Sequence, residues 1–257
     1  MKKILIIPQL KELSESLSLA EEYGAGFEYN DFFTPDILDS ELLCEELAQK
    51  YLSVKLPEYC TLHGAFFDVI PFSPDKKIRE VADLRIEQSI SAAKKLGARA
   101  VVFHTNYNPF LNTPHYIEKW LEQNAEYWSD ILTRHRDVEI YFENMFDTSP
   151  DILAELAKTL CRFENFGICF DYAHAAITDI PHEIWAKAFG KYTKHIHIND
   201  NDLKSDLHLA IGDGRINFGE FYELYEKYLN GASILIETSA TEGQRRSLER
   251  LRHDGFI

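Results

Sequence analysis

Eight short apolar segments alternate with longer amphipathic segments along this chain of 257 residues. The short segments are rich in β-branched and aromatic residues, which is typical of buried strands. They cover residues 3–8, 26–30, 59–63, 100–104, 138–143, 166–171, 194–198 and 233–237. Strands that alternate with helices pair in parallel through right-handed crossovers. Eight such units within about 250 residues predict an α/β protein built as a single (β/α)8 barrel rather than an open sheet.

The segments between the strands have helical periodicity. Predicted helices cover residues 13–23, 78–96, 116–134, 150–160 and 218–229. Ser149 is a candidate N-cap ahead of Pro150, and Asn217 with Glu220 has the spacing of a capping box. The sequence contains neither an internal repeat nor a linker. We therefore expect one domain over residues 1–257.

Composition and charge argue for an ordinary globular protein and against several classes of partner. A chain that is 45% hydrophobic and 27% charged can bury a large core. Its formal net charge of −15 works against general binding of nucleic acids or anionic membranes. The apolar run at residues 4–7 is too short for a signal peptide or a membrane span. The four cysteines have no C-x-x-C spacing, which favours a reducing cytoplasm over a disulfide framework or zinc knuckle.

Six consecutive predicted strands end in side chains that can bind a metal. These residues are His63, His104, Glu143, Asp171, His197 and Glu237. The carboxyl ends of barrel strands meet at one mouth, where active sites are built. The three carboxylates would repel one another without a cation between them. The sequence therefore predicts a divalent metal site at the mouth, with His195 one pleat deeper as a supporting residue rather than a ligand.

Two segments beyond the strand ends add further candidate ligands. His174 follows strand six in the segment Asp171-Tyr172-Ala173-His174, and Asp206 and His208 form an Asp-x-His pair after strand seven. With them, nine histidines and carboxylates are expected around the mouth.

Together these segments resemble the xylose isomerase-like TIM barrel superfamily, which includes endonuclease IV (AP endonuclease family 2) and many sugar isomerases and epimerases. The resemblance extends from the first strand to Glu237. It rests on Leu62-His63-Gly64, Phe103-His104, Phe142-Glu143-Asn144, Phe170-Asp171-Tyr172-Ala173-His174, His197-Ile198-Asn199-Asp200, Asp206-Leu207-His208, Gly212-Asp213-Gly214 and Ile236-Glu237-Thr238.

The resemblance to endonuclease IV implies three zinc ions and hydrolysis of a phosphoester. The first ion would take His63, His104 and Glu143. The second would share Glu143 and take Asp171, His197 and Glu237. The third would take His174, Asp206 and His208.

The resemblance to the sugar epimerases implies a simpler site. One divalent ion, such as manganese, magnesium or cobalt, would be held by Glu143, Asp171, His197 and Glu237. Glu143 and Glu237 would also act as catalytic acid and base on the substrate carbon. Our first hypothesis is a sugar or sugar-phosphate isomerase or epimerase, and the alternative is a multi-zinc phosphoester hydrolase.

Four further residues are candidates for substrate binding. Glu28 ends strand two, Phe66 lies in the loop after His63, Lys204 is the nearest cation after the strand-seven histidine, and Arg215 follows Gly212-Asp213-Gly214. Phe66 and Phe67 are expected to be walls of a small-molecule pocket, although they could also wedge between bases. Their loop contains an acid and no basic residue, which favours a small sugar substrate over DNA.

Overall fold

A computed structural model of the protein describes residues 2–66, 69–238 and 240–257. Eight parallel strands form a closed barrel in sequence order, and β8 pairs with β1 to close it. The strands are β1 Ile4–Ile6, β2 Gly26–Tyr29, β3 Cys60–His63, β4 Ala100–His104, β5 Glu139–Glu143, β6 Phe166–Asp171, β7 Thr193–Ile198 and β8 Ser233–Ile236. The predicted (β/α)8 barrel is confirmed, and every predicted strand is present.

Helices surround the barrel. They are α1 Leu13–Tyr23, α2 Pro35–Leu38, α3 Glu41–Leu52, α4 Lys76–Leu96, α5 Pro114–Arg134, α6 Asp151–Leu160, α7 Tyr172–Ala176, α8 His182–Phe189, α9 Phe218–Leu224 and α10 Thr241–His253. Leu10–Glu12 and Gly190–Tyr192 are short 3-10 turns, and Tyr225–Leu229 continues α9 with π geometry. In the part of the chain that the structure describes, no helix is both long and apolar enough to cross a membrane.

The helix starts follow from local sequence. Thr113 accepts a hydrogen bond from the backbone nitrogen of Tyr116, and Pro114 occupies the first turn of α5. Asn217 caps α9 by accepting from the backbone nitrogen of Glu220 at 3.4 Å, as the capping-box spacing predicts. The hydroxyl of Ser149 likewise accepts from the backbone nitrogen of Asp151 at 3.4 Å, although α6 itself begins only at Asp151.

Alternation along the strands separates two environments. Outward side chains such as Phe142, Ile196 and Ile236 join the large core between the barrel and its helices. Inward side chains form two smaller apolar clusters, one of them around Tyr141 and Cys169. The period of two then points the six candidate ligands, like these inner residues, toward the barrel axis, because each follows an outward residue. The six are His63, His104, Glu143, Asp171, His197 and Glu237. The fold therefore delivers the strand-end side chains to one shared, buried space.

Candidate metal centre

The six strand-end residues lie side by side at the carboxyl end of the barrel. All are buried, with exposed fractions from 0% for Asp171 and His197 to 6% for Glu237. Among the described residues, none of them forms a hydrogen bond or ion pair with a lysine or arginine. Buried carboxylates need a compensating charge, so this charge must come from the histidines, from protons or from a metal.

The first group joins two histidines to one glutamate oxygen. Nε2 of His63 lies 3.4 Å from Oε2 of Glu143, and Nε2 of His104 lies 3.6 Å from the same oxygen. Two ligand atoms of one tetrahedral zinc ion are about 3.3 Å apart when each is about 2.0–2.1 Å from the ion. Nδ1 of His63 is 3.1 Å from the carbonyl oxygen of Gly64. Donation of its proton there would leave Nε2 as a lone-pair donor.

The second group shares Glu143 with the first. Nδ1 of His197 lies 3.5 Å from Oε2 of Glu143 and 3.5 Å from Oε2 of Glu237. A ligand atom of Asp171 lies within 4.8 Å of its counterparts on Glu143 and His197. The arrangement places Glu143 between the two groups, where one carboxylate can serve both.

The third group is built on Asp206. Nε2 of His174 lies 3.3 Å from Oδ2 of Asp206, and Nε2 of His208 lies 2.8 Å from the same oxygen. The other ring nitrogen of each histidine faces a backbone carbonyl, that of Asn144 at 2.8 Å for His174 and that of Glu237 at 3.0 Å for His208. Burial opposes protonation, but the hydrogen bond to Asp206 and the charge of Glu237 raise the pKa of His208 to about 10. A bound cation would take the place of that proton.

Several ligand atoms have no hydrogen-bond partner among the described residues. They are His63 Nε2, Glu143 Oε2, Asp171 Oδ2, His197 Nδ1 and Glu237 Oε2. Leaving one buried polar atom unpaired costs about 1–3 kcal/mol, and more for a charged group. Five such atoms converging on one space fit a site whose missing partners are divalent cations. Imidazole nitrogens and carboxylate oxygens are donors that zinc accepts.

The two neighbouring carboxylates of the centre have opposite protonation preferences. Burial raises the pKa of Glu143, but the charges of His197 and His104 outweigh it and hold the pKa well below the usual range. Burial raises the pKa of Asp171 well above its usual range, and the charges of Glu237 and Glu143 add to this effect against that of His174. Without a cation, the surroundings therefore favour the protonated form of Asp171 and the ionised form of Glu143.

A second polar layer lies directly below the ligands. Glu28 is fully buried, and its Oε2 accepts from the hydroxyl of Thr61 at 2.7 Å and lies 3.0 Å from Nε2 of His195. Its Oε1 lies 3.1 Å from Nε2 of His197, off the line of a hydrogen bond. Burial raises the pKa of Glu28, but the charges and contacts of His197 and His195 bring it well below the usual range. Glu28, which the sequence suggested as a substrate-binding residue, therefore contacts side chains of the barrel interior.

The other predicted substrate-binding residues lie at the mouth. Phe66 packs against His63 and His104, with ring centroids 5.0 and 4.5 Å apart, and borders a cavity of about 260 Å³ together with Phe33 and Val69. Phe67 lies outside the described residues. The side chains of Lys204 and Arg215 are exposed.

Sequence reasoning did not assign Asp200 a separate role. Its buried carboxylate accepts from the backbone nitrogens of Gly212 and Gly214, both at 2.9 Å, and of Ile216 at 3.0 Å. Asp200 therefore fixes the loop that carries Arg215 and already occupies backbone donors that an anionic substrate would use. The signal was the pairing of an acid just after a strand with a later Gly-x-Gly, which is weak by itself.

Comparison with known proteins is consistent with this geometry. The family model described as xylose isomerase-like TIM barrel matches residues 17–253. An uncharacterized protein of Methanocaldococcus jannaschii is 30% identical over 233 residues, covering 82% of this chain and 78% of the relative. A probable endonuclease 4 of Mycobacterium leprae is 27% identical over 198 residues, covering 70% of this chain and 73% of the relative.

Two solved structures match nearly the whole chain. A Thermus thermophilus protein, solved after soaking with ZnCl2, has a TM-score of 0.77 at 25% identity and covers 99% of each chain. A D-tagatose 3-epimerase-like protein has a TM-score of 0.75 at 26% identity, covering 98% of this chain and 96% of its own. The chain belongs to the xylose isomerase-like TIM barrel family, whose members are enzymes.

Proposed function

We propose that this member of the xylose isomerase-like TIM barrel family is a metal-dependent hydrolase of small phosphate esters. Its centre would hold more than one divalent ion, and zinc is the metal that we propose. The observation that carries the proposal is the position of Glu143. Its Oε2 lies within 3.6 Å of nitrogens from His63, His104 and His197. A carboxylate surrounded by the ligands of two groups is suited to bridging two ions.

Each group of side chains would have a distinct part in holding the ions. His63, His104 and Glu143 would hold one, Glu143 with Asp171, His197 and Glu237 a second, and His174, Asp206 and His208 a third. Divalent ions at these places would polarise the phosphoryl oxygens and offset the charge on the attacking and leaving oxygens. The chain itself supplies fixed carboxylates and imidazoles, which need little rearrangement as that charge develops.

The surroundings of Glu143 disfavour its use as a mobile acid or base. Its other oxygen, Oε1, lies 3.4 Å from Nδ1 of His174, so both oxygens face imidazole nitrogens. In an isomerase or epimerase, this glutamate would have to exchange a proton with a substrate carbon. A bridging carboxylate is better suited to hydrolysis, in which it only holds and orients.

Charge and shape favour a small substrate over a nucleic acid. The net charge of −15 opposes a polyanion at long range. Phe66 lies beside the centre and, with Phe33 and Val69, lines an apolar cavity. Such a cavity suits a compact organic group. Lys204 and Arg215, both exposed near the mouth, are the candidates to contact a phosphate.

A sugar isomerase or epimerase is the second candidate function. It is favoured by the 26% identity to a D-tagatose 3-epimerase-like protein over nearly the full chain. That reaction needs one ion, held by Glu143, Asp171, His197 and Glu237, with the two glutamates as acid and base. His63, His104, Asp206 and His208 would then be dispensable.

This difference in required ligands provides the experiment. Chelator-free protein is equilibrated with zinc, gel-filtered and its metal content measured, for the wild type and for His104→Ala, His208→Ala and Glu237→Gln. We expect more than one zinc per chain and hydrolysis of aryl phosphate esters that all three substitutions reduce at least tenfold. One ion per chain, with ketose proton exchange lost in Glu237→Gln and unchanged in the two alanine variants, would instead support the isomerase. Cleavage of duplex DNA at abasic sites in preference to small esters would refute the substrate class.

A further inference from the structure

We infer that Glu28 is a positioning residue that fixes the ring of His197, so that Nδ1 of His197 faces the metal centre. The inference rests on the metal centre of the proposed function and assigns Glu28 a part that the sequence did not indicate. It concerns how a ligand is oriented and does not depend on which reaction the centre performs.

The first step is that the two ring nitrogens of His197 face different partners. Nδ1 lies 3.5 Å from one oxygen each of Glu143 and Glu237, on the side of the ligands. Nε2 lies 3.1 Å from Oε1 of Glu28, on the opposite side of the ring. Although this contact lies off the line of a hydrogen bond, the negative charge of the carboxylate favours the tautomer with the proton on Nε2. That tautomer leaves the lone pair of Nδ1 for a cation.

The second step is that Glu28 is itself held in place. Its side chain has no solvent exposure, and its other oxygen takes the hydroxyl of Thr61 at 2.7 Å and Nε2 of His195 at 3.0 Å. Three contacts from three different side chains leave the carboxylate little freedom to rotate. Glu28 can therefore impose its direction on His197 rather than follow it.

The third step is that His195 is anchored from below. Its Nδ1 lies 2.7 Å from the hydroxyl oxygen of Ser233, and that oxygen lies 3.2 Å from the hydroxyl of Tyr59. A chain of contacts thus runs from Tyr59 near the amino end of the barrel to the ligand His197. It crosses β2, β7 and β8, so the orientation of the ligand is fixed by the barrel itself.

The same contacts explain a second group of metal-type side chains in the barrel. Cys169, His195 and His197 bring ligand atoms within 4.8 Å of one another below the centre. Both nitrogens of His195 already face protein partners, Glu28 and Ser233. This group is therefore assigned to the support of His197 rather than to a further ion.

The test replaces the carboxylate without changing its size. In Glu28→Gln an NH2 group, which only donates, replaces one carboxylate oxygen, so the side chain can no longer present an oxygen both to Thr61 and His195 and to His197. Removing such an outer partner of a ligating histidine typically lowers metal affinity about 10- to 100-fold. We expect this loss for zinc, measured by competition with a chromophoric chelator, with an unchanged number of ions bound at saturating zinc.

Tyr225→Phe is the matched control. Tyr225 is buried, and its hydroxyl donates to the backbone carbonyl oxygen of Ala232 at 2.9 Å, outside the chain of contacts from Tyr59 to His197. Its loss of one hydroxyl should leave zinc affinity within about twofold. Thr61→Val, which removes one donor to Glu28 and keeps the carboxylate, should give an intermediate loss and serves if Glu28→Gln does not fold.

A second readout separates orientation from general damage. Nitrogen-15 spectra of histidine-labelled, metal-free protein report the tautomer of each ring, and we expect the proton of His197 on Nε2 in the wild type and a mixed tautomer in Glu28→Gln. Wild-type zinc affinity in both Glu28→Gln and Thr61→Val, or a proton on Nδ1 of His197 in the wild type, would overturn the inference. Neither readout uses catalysis, so a failure of the proposed hydrolase activity would leave this result interpretable.

Discussion

Oδ1 of Asp171 accepts a hydrogen bond from the backbone nitrogen of His174 at 2.6 Å, whereas Oδ2 of the same carboxylate faces the metal centre without a hydrogen-bond partner among the described residues. One oxygen thus caps α7 and the other is available to a cation. Capping and ligation are usually weighed as alternatives for an acid at a strand end. Here the turn into α7 makes them compatible, and it also brings His174 into the third group of ligands.

The capping and metal-binding roles of Asp171 can be separated by substitution. Asn caps a helix about as well as Asp and lacks the charge that a cation needs. The pKa of Asp171 is raised well above its usual range, so the surroundings of this side chain favour its neutral form in the metal-free protein. We expect Asp171→Asn to leave the metal-free free energy of unfolding within about 0.5 kcal/mol of the wild type and to weaken zinc binding at least tenfold.

Asp171→Ala is the companion variant. It removes the cap as well as the ligand, so its metal-free protein should lose about a further 1 kcal/mol in guanidinium unfolding. Equal metal-free stability of the two variants would mean that the cap contributes nothing. Unchanged zinc affinity in Asp171→Asn would remove Asp171 from the ligand set.

The close approach of Gly214 to Asp200 leads to a second prediction, about the stability of the loop at the mouth. A Cβ at position 214 would collide with the carboxylate of Asp200 and the carbonyl oxygen of Asn201. Gly214→Ala should therefore cost about 1–3 kcal/mol of unfolding free energy, the usual range for overpacking. Asp200→Asn replaces one of the oxygens that accept from these backbone nitrogens with an NH2 group. This change should cost about 2 kcal/mol of unfolding free energy.

Gly219→Ala is the control for the glycine substitution. Its Cβ would meet Asn217 Oδ1, the cap of α9, at 3.2 Å. The gain from removing a helical glycine and the cost of this contact oppose each other, so we expect a change within about 1 kcal/mol. A loss in Gly219→Ala as large as in Gly214→Ala would show that the loop held by Asp200 is not the cause.

The sequence predicted the barrel and the ligand positions for related reasons. A period of two in a strand fixes which side chains enter the barrel, and the strand ends fix their height along its axis, so His63 and Glu143 could be placed at the mouth from the strand pattern. Their roles as ligands stay predictions.

The layer beneath the ligands could not be read in the same way. Thr61 and Ser233 are ordinary strand residues, and their relation to Glu28 and His195 depends on how four strands are staggered around the barrel. Asp200 binds backbone nitrogens 12 to 16 residues later, through a loop whose path no spacing rule specifies. Contacts set by register and by loop path are the ones that sequence reasoning missed.

Asp147 should make stability depend on pH. Burial raises its pKa from 3.8 to about 6, against the hydrogen bonds from Thr105 and from the backbone of Met145. The folded protein then holds a proton between about pH 4 and pH 6 that the unfolded chain has released. Stability contributed by the neutral form is complete below about pH 4 and is lost as the pH rises through about 6.

Asp147→Asn remains neutral throughout this range. Its free energy of unfolding, relative to the wild type, should therefore increase by up to about 3 kcal/mol between pH 4 and pH 7. Guanidinium unfolding in the presence of chelator measures the difference with the metal centre equally empty in both proteins. Parallel pH profiles for the two proteins would show that Asp147 is not held neutral by burial.

Glu143 should contribute more to metal-dependent stability than any ligand that serves one group. An ion that binds only the folded state stabilises that state by about 2.7 kcal/mol when the free ion concentration is 100 times Kd. Oε2 of Glu143 lies within 3.6 Å of nitrogens from His63, His104 and His197, which belong to two groups, whereas the carboxylate of Asp206 faces His174 and His208 of one group. The melting temperature should therefore rise with zinc in the wild type, rise by less in Asp206→Asn and rise least in Glu143→Gln, each compared with the same protein in chelator. Because one carboxylate completes two groups, its removal should weaken both ions at once, and an equal response of the two variants would mean that Glu143 serves a single ion.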